Sequence, residues 1–247
     1  MNLTAIAGIV LVVLAAVLML VFSLVKRKTP SVFRDIPAFS RLRRAIGLAV
    51  EDGTRLHFSF GHSSLIVPRS ASAFAALGML RKVAEQTSVS DRPPVVTAGD
   101  AALTILAQDT LHSAYRSAAA EGLYDPNAAR LTGLTPFSYA AGAIPIMRDE
   151  DVSANILMGN FGVEVAFLTD TSERETSFTM AATDSLPAQA IIYATAQEPL
   201  IGEELYAAGA YVDAGPSHTA SLQVQDILRW LIVAAVLSGV MLKLLGF

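Results

Sequence analysis

Six polar residues stand where apolar, β-type runs of this chain end: His62 and Ser63, Asp100 after Gly99, Asn160 beside Gly162, and Asp184 with Ser185. In a parallel α/β sheet, ligands bind beyond the carboxyl ends of the strands. If the runs are parallel neighbours, an imidazole, two carboxylates and an amide gather on one edge. Together with helix N-termini they could bind a small polar ligand. Asp, Asn and Ser after a strand are also ordinary helix N-caps, satisfying the free N–H groups of a first turn. Capping is the simpler reading of the set. Replacement of Asp100 or Asp184 by Asn separates the two readings, because Asn caps about as well as Asp.

Other chemistry is largely excluded. The chain has no Gly-x-Gly-x-x-Gly, P-loop, Gly-x-Ser-x-Gly or His-Glu-x-x-His. Gly159-Asn-Phe-Gly162 lacks the third glycine and the spacing of a phosphate loop, and reads as two glycines closing a buried strand. Asp149, Asp151, Ser153 and Asn155 alternate like calcium-loop ligands, but Ala154 replaces the required glycine and Asn160 the final Glu. A solvated acidic loop is the expectation there. Cysteine is absent, which removes disulfides and thiolate metal sites. His112 and His218 have no partner at ligand spacing. No metal, cofactor or catalytic set is expected.

The elements that must carry these residues alternate. Ala45–Val50 and Thr54–Phe60 read as two strands, with Asp52-Gly53 between them for a hairpin turn. In the second run Leu56, Phe58 and Phe60 alternate with His57 and Ser59, the period of a half-buried strand. His57 is expected on the exposed face or satisfied by a neighbour. Helical patterns follow over 71–86, 101–120, 163–171, 187–197 and 203–211, and strand patterns over 94–97, 155–158 and 178–182. Residues 138–147 fit either. The prediction is an α/β domain with a mostly parallel sheet opened by a β-hairpin, flanked by N- and C-terminal transmembrane helices.

Both ends of the chain are apolar. Ala5–Val25 carries no charge and extends about 31 Å as a helix, close to the hydrocarbon thickness. Met1–Thr4 has no basic residue, and Ser23–Lys28 has no Ala-x-Ala-like site, so the segment reads as an uncleaved anchor. Trp230–Phe247 is interrupted only by Lys243. Ala234 with Ser238, and Ala235 with Gly239, have the spacing that lets membrane helices approach.

Residues 26–44 hold seven bases and one acid, Asp35, whereas residues 45–229 sum to −11. The basic collar beside the first span favours the cytoplasmic side. Lys26, Arg27 and Lys28 at one span, and Arg229 with Trp230 at the other, are the expected membrane-interface residues. Pro30 and Pro37 suggest that the collar is a stiff linker along the bilayer rather than a long helix. The expected organisation is a span over 1–25, a linker over 26–44, a cytoplasmic domain over 45–225 and a second span over 226–247. Both termini then lie outside. The acidic body argues against nucleic-acid partners.

Thr97-Ala-Gly-Asp100 followed by Leu106-Ala-Gln-Asp109, then Ile201–Tyr211, then Gln225–Trp230 leading into an apolar segment, resembles an uncharacterised family of bacterial membrane proteins. That family is a domain of unknown function seen in filamentous phototrophic and related bacteria. The resemblance implies a bacterial inner membrane and transfers no site residue. The expected function is a membrane-anchored binding or scaffolding protein, in a homo-oligomer or membrane complex with the lipid bilayer as a partner. The alternative is a membrane-tethered small-ligand sensor or enzyme using the strand-end edge.

Overall fold

The computed structural model describes residues 3–25, 34–66, 70–212 and 215–245. It divides into two compact units, Asp35–Ala214 and the paired ends Met1–Arg34 with Gly215–Phe247.

The larger unit begins with α2 (Pro37–Glu51), preceded in the chain by α1 (Leu3–Val25). It continues as β1 (Arg55–Gly61), α3 (Ser70–Thr87), β2 (Val95–Ala98), α4 (Ala101–Ser117), β3 (Ala129–Leu131) and α5 (Pro136–Asp149). There follow β4 (Val152–Asn160), α6 (Val165–Arg174), β5 (Phe178–Thr183), α7 (Leu186–Thr195), β6 (Glu198–Leu200) and α8 (Glu204–Tyr211). The six strands form one sheet in the order β3-β2-β1-β4-β5-β6. Every strand pairing among the described residues is parallel. This is the strand order of the doubly wound nucleotide-binding sheets.

The predicted hairpin is absent. Ala45–Val50, read as its first strand, lies inside α2, as does the Pro37–Arg44 part of the predicted linker. Pro37 occupies the first turn, where its missing N–H costs nothing. Ala38, Phe39, Leu42, Ile46 and Ala49 are buried at helical spacing. Phe39 stacks on Tyr211 of α8 with ring centroids 4.7 Å apart. Asp52-Gly53 ends the helix instead of turning a hairpin. Gly53 has φ +65°, and Thr54 N–H returns to the Ala49 carbonyl at 3.0 Å, a Schellman closure.

The sheet is covered on both faces, so β1 alternates between two interiors rather than between core and water. Leu56, Phe58 and Phe60 join the apolar layer that contains residues of α2, α3, α4 and α8. The opposite layer packs Tyr139, Leu157, Phe161, Val165, Leu168, Ala188 and Ile192, drawn from α5, α6, α7 and the strands facing them. His57 points into that second layer and is fully buried.

In the smaller unit, α9 (Pro216–Leu244) packs against α1. Its stretch Ser217–Leu244 is long and apolar enough to cross a membrane; the apolar stretch Gly8–Leu24 of α1 is shorter. Trp230 is exposed on α9, and Arg229 pairs with Asp226 at 3.5 Å. Lys26, Arg27 and Lys28 lie outside the described residues.

Candidate functional site

The strand order reverses between β1 and β4. From β1 the chain winds through β2 to β3 on one side, and from β4 through β5 to β6 on the other. The carboxyl ends of β1 and β4 therefore flank the topological switch point, where open α/β sheets leave a crevice. Gly61 ends β1 with φ +60°, and a side chain there would meet the Asn160 carbonyl at 2.3 Å. Glycine is thus required to let the two strand ends touch.

His62 leaves β1 at this contact, its N–H donating to the Asn160 carbonyl at 2.7 Å. The imidazole lies over Gly99 at the end of β2, where an added Cβ would stand 2.8 Å from the ring. The ring also meets Tyr139 of α5 edge-on at 5.5 Å. Its Nε2 is buried and has no hydrogen-bond partner.

The other predicted residues divide by role. Ser63 is buried and bridges the strand ends, donating to the Phe60 carbonyl (2.8 Å) and accepting from Asn160 N–H (2.7 Å). Asp100 caps α4, accepting from Leu103 N–H at 2.9 Å. Asn160 donates from its side-chain nitrogen to the Asp184 carboxylate at 2.5 Å. Ser185 occupies the N-cap position of α7 but makes no side-chain capping bond. Capping therefore accounts for Asp100 alone. His62, Ser63, Asn160 and Asp184 are linked across the ends of β1, β4 and β5.

Glu164 was not foreseen. It lies between β4 and α6 in Phe161-Gly-Val-Glu-Val-Ala-Phe-Leu168, a lone acid in an apolar run, and that isolation is the signal available from sequence. Only 1% of the residue is exposed. Its Oε1 accepts from Gly162 N–H at 2.7 Å, while Oε2 is buried without a partner. The carboxylate thus takes an amide that a phosphate would use at a helix N-terminus. A Cβ on Gly162 would lie 2.6 Å from Oε2, so the glycine makes room for the acid.

Tyr139 lies against His62 and feels the Glu164 charge. Burial pushes its hydroxyl above the ordinary phenol value, the hydrogen bonds with Ser59, Thr97 and Gly61 pull it back, and the Glu164 charge raises it further. The phenol is consequently neutral, fixed by Thr97 Oγ1 at 2.8 Å, Gly61 N–H at 3.3 Å and the Ser59 hydroxyl. The arrangement can offer a ligand an imidazole nitrogen and an unused carboxylate lone pair. The unused carboxylate oxygen suits a neutral or cationic group carrying hydrogen-bond donors better than a phosphate.

The calcium-like alternation does not converge. Asp151 pairs with Arg92 at 2.6 Å, whereas Asn155 is buried in β4 against His57. No cluster of three or more His, Asp or Glu among the described residues could hold a metal ion.

Neither the curated proteins nor the solved structures contain a match to the chain. The profile of DUF6754, a domain of unknown function, matches residues 1–247, and the chain belongs to that family.

Proposed function

We propose that the protein is a membrane-anchored binding protein that holds a small polar ligand at the carboxyl edge of its sheet, between β1 and β4. The observation that carries this reading is the pair of buried, unpartnered atoms there, His62 Nε2 and Glu164 Oε2. A buried polar atom without a partner costs roughly 1–3 kcal/mol, a cost that a donor-bearing ligand removes. The ligand class is a small molecule presenting hydroxyl or amine hydrogens.

In this reading the anchors are the apolar ends, residues 5–25 and 230–247, in a bacterial plasma membrane. The intervening domain is cytoplasmic and both termini are outside. The basic residues that follow the first apolar segment support that orientation.

Gentle detergent extraction of the full chain followed by native mass spectrometry tests the ligand. The expected result is a small-molecule adduct that Glu164→Gln and His62→Gln lose and Asp100→Asn keeps. An adduct unaffected by either of the first two substitutions, or none at all, overturns the site.

A second reading is a scaffold within a homo-oligomer or membrane complex. It is favoured by Leu134, Phe137, Val163, Phe167 and Leu186, all exposed where α5, α6 and α7 begin, with Phe137 and Phe167 in edge contact at 6.2 Å. A stable multimer in the same spectra, dissociated by Phe137→Ser with the adduct retained, selects it.

A further inference from the structure

The end of the sheet opposite the candidate site carries a separate groove. It is lined by Arg41, Arg44, Ala45 and Leu48 of α2, by Phe178 at the start of β5, and by Gln197 with Glu198 at the start of β6, and it encloses about 450 Å³. The four α2 residues form one helical stripe, at positions i, i+3, i+4 and i+7. The groove is therefore two-ended in chemistry: guanidinium groups at one end, and Ala45, Leu48 and the Phe178 ring at the other.

Its charge is unbalanced. Arg41 is paired with Glu198, the one acid among the described lining residues. Arg44 is exposed and makes no hydrogen bond or ion pair among the described residues, and the same holds for its neighbour Arg43. Guanidinium groups bind phosphate through paired N–H donors. A phosphate at Arg44 would leave room for an apolar chain along Leu48 and Phe178.

We propose that this groove binds an anionic phospholipid, with the head-group phosphate on Arg44 and Arg41 and the first part of an acyl chain over Leu48 and Phe178. Charge complementarity and covalent proximity both select a lipid as occupant. Pro37 follows Val25 of α1 through residues 26–36, whose fully extended length is about 40 Å at most. The second argument rests on the reading of the apolar ends as membrane anchors. An anchored groove meets head groups at a far higher effective concentration than any dissolved anion.

The full chain in detergent, titrated with phosphatidylglycerol, phosphatidylcholine or inorganic phosphate and read by native mass spectrometry, tests the proposal. Phosphatidylglycerol should bind, with about a tenfold loss of affinity in Arg44→Gln, the loss expected for one charge-assisted contact. Arg116→Gln, the same charge change on an exposed position of α4, should leave binding unchanged, and Leu48→Gln should weaken it. Equal affinity in the wild type and Arg44→Gln overturns the lipid groove. Displacement of the lipid by millimolar inorganic phosphate also overturns it, in favour of a small-anion site. Release of the chain from membranes by alkaline carbonate instead overturns the anchors, and the detergent titration still reports on the groove by itself. Arg44 makes no hydrogen bond or ion pair among the described residues, so Arg44→Gln should melt with the wild type and a folding defect is separable.

Discussion

His57 sits inside a one-way chain of hydrogen bonds. Asn155 donates to Ser177 at 2.8 Å, which leaves its carbonyl oxygen to accept from His57 Nδ1 at 2.8 Å. That assignment makes Nε2 an acceptor, served by the Thr97 hydroxyl at 2.9 Å, and Thr97 in turn accepts from Tyr139. The chain needs a neutral imidazole. Burial supplies one, lowering the His57 pKa from 6.5 to about 4 against the opposing pull of the Asn155 bond. A histidine with a depressed folded-state pKa contributes stability that is complete above about pH 6.5 and lost as pH falls toward 4, because the unfolded chain takes up the proton first. A shift of this size corresponds to about 3 kcal/mol. Thermal melts from pH 7 to pH 4 should therefore fall more steeply in the wild type than in His57→Gln, which does not titrate. Parallel slopes would count against the neutral, buried imidazole. Gly99 offers a second test next to His62. Its Cβ position is filled by the imidazole, so Gly99→Ala must displace the ring. It should abolish the Glu164-dependent adduct while shifting the melting temperature less than a core truncation does.

α2 is the element whose sequence signals pulled in opposite directions. Phe39, Leu42, Ile46 and Ala49 keep helical spacing, but Pro37 resembles a breaker, Ala45–Val50 resembles a short strand, and Asp-Gly serves hairpins and helix ends equally well. Only the tertiary partner, Tyr211 of α8 against Phe39, decides between them. If α2 belongs to the core, Phe39→Ala should cost about 3–5 kcal/mol, read as a lowered melting temperature of the purified chain. A surface linker predicts no change. The strands β3 and β6 were invisible for another reason: three residues carry no measurable period, and Pro199 in β6 is tolerated only because the strand lies at an edge. The longer strands β1, β4 and β5 and most of the helices were legible, because fully or alternately apolar runs separated by turn residues survive without tertiary knowledge. The candidate site was legible to the same extent. His62, Ser63, Asn160 and Asp184 mark strand ends, whereas Glu164 lies within what reads as a helix start, and nothing local announces that its carboxylate is buried.

For the whole chain, the proposed function turns on which side of a membrane the doubly wound unit would lie. α9 is long and apolar enough to cross, and the apolar stretch Gly8–Leu24 of its neighbour α1 is shorter. In the proposed reading both apolar ends cross, which would put both termini on one side and Asp35–Ala214 on the other. In the same reading the lysines and arginines of residues 26–44 would favour the cytoplasm for that unit. The absence of cysteine makes the test clean, because a single introduced thiol has no background. Ser117→Cys, exposed at the end of α4, should react with a membrane-impermeant maleimide only after cells are lysed. A cysteine appended after Phe247 should react in intact cells. Labelling of Ser117→Cys in intact cells would place the sheet outside and remove cytoplasmic metabolites as ligands of the His62–Glu164 edge. Protection of both thiols would put Ser117 and the C-terminus on one side, so that α9, the apolar helix between them, does not cross and is the segment to re-assign.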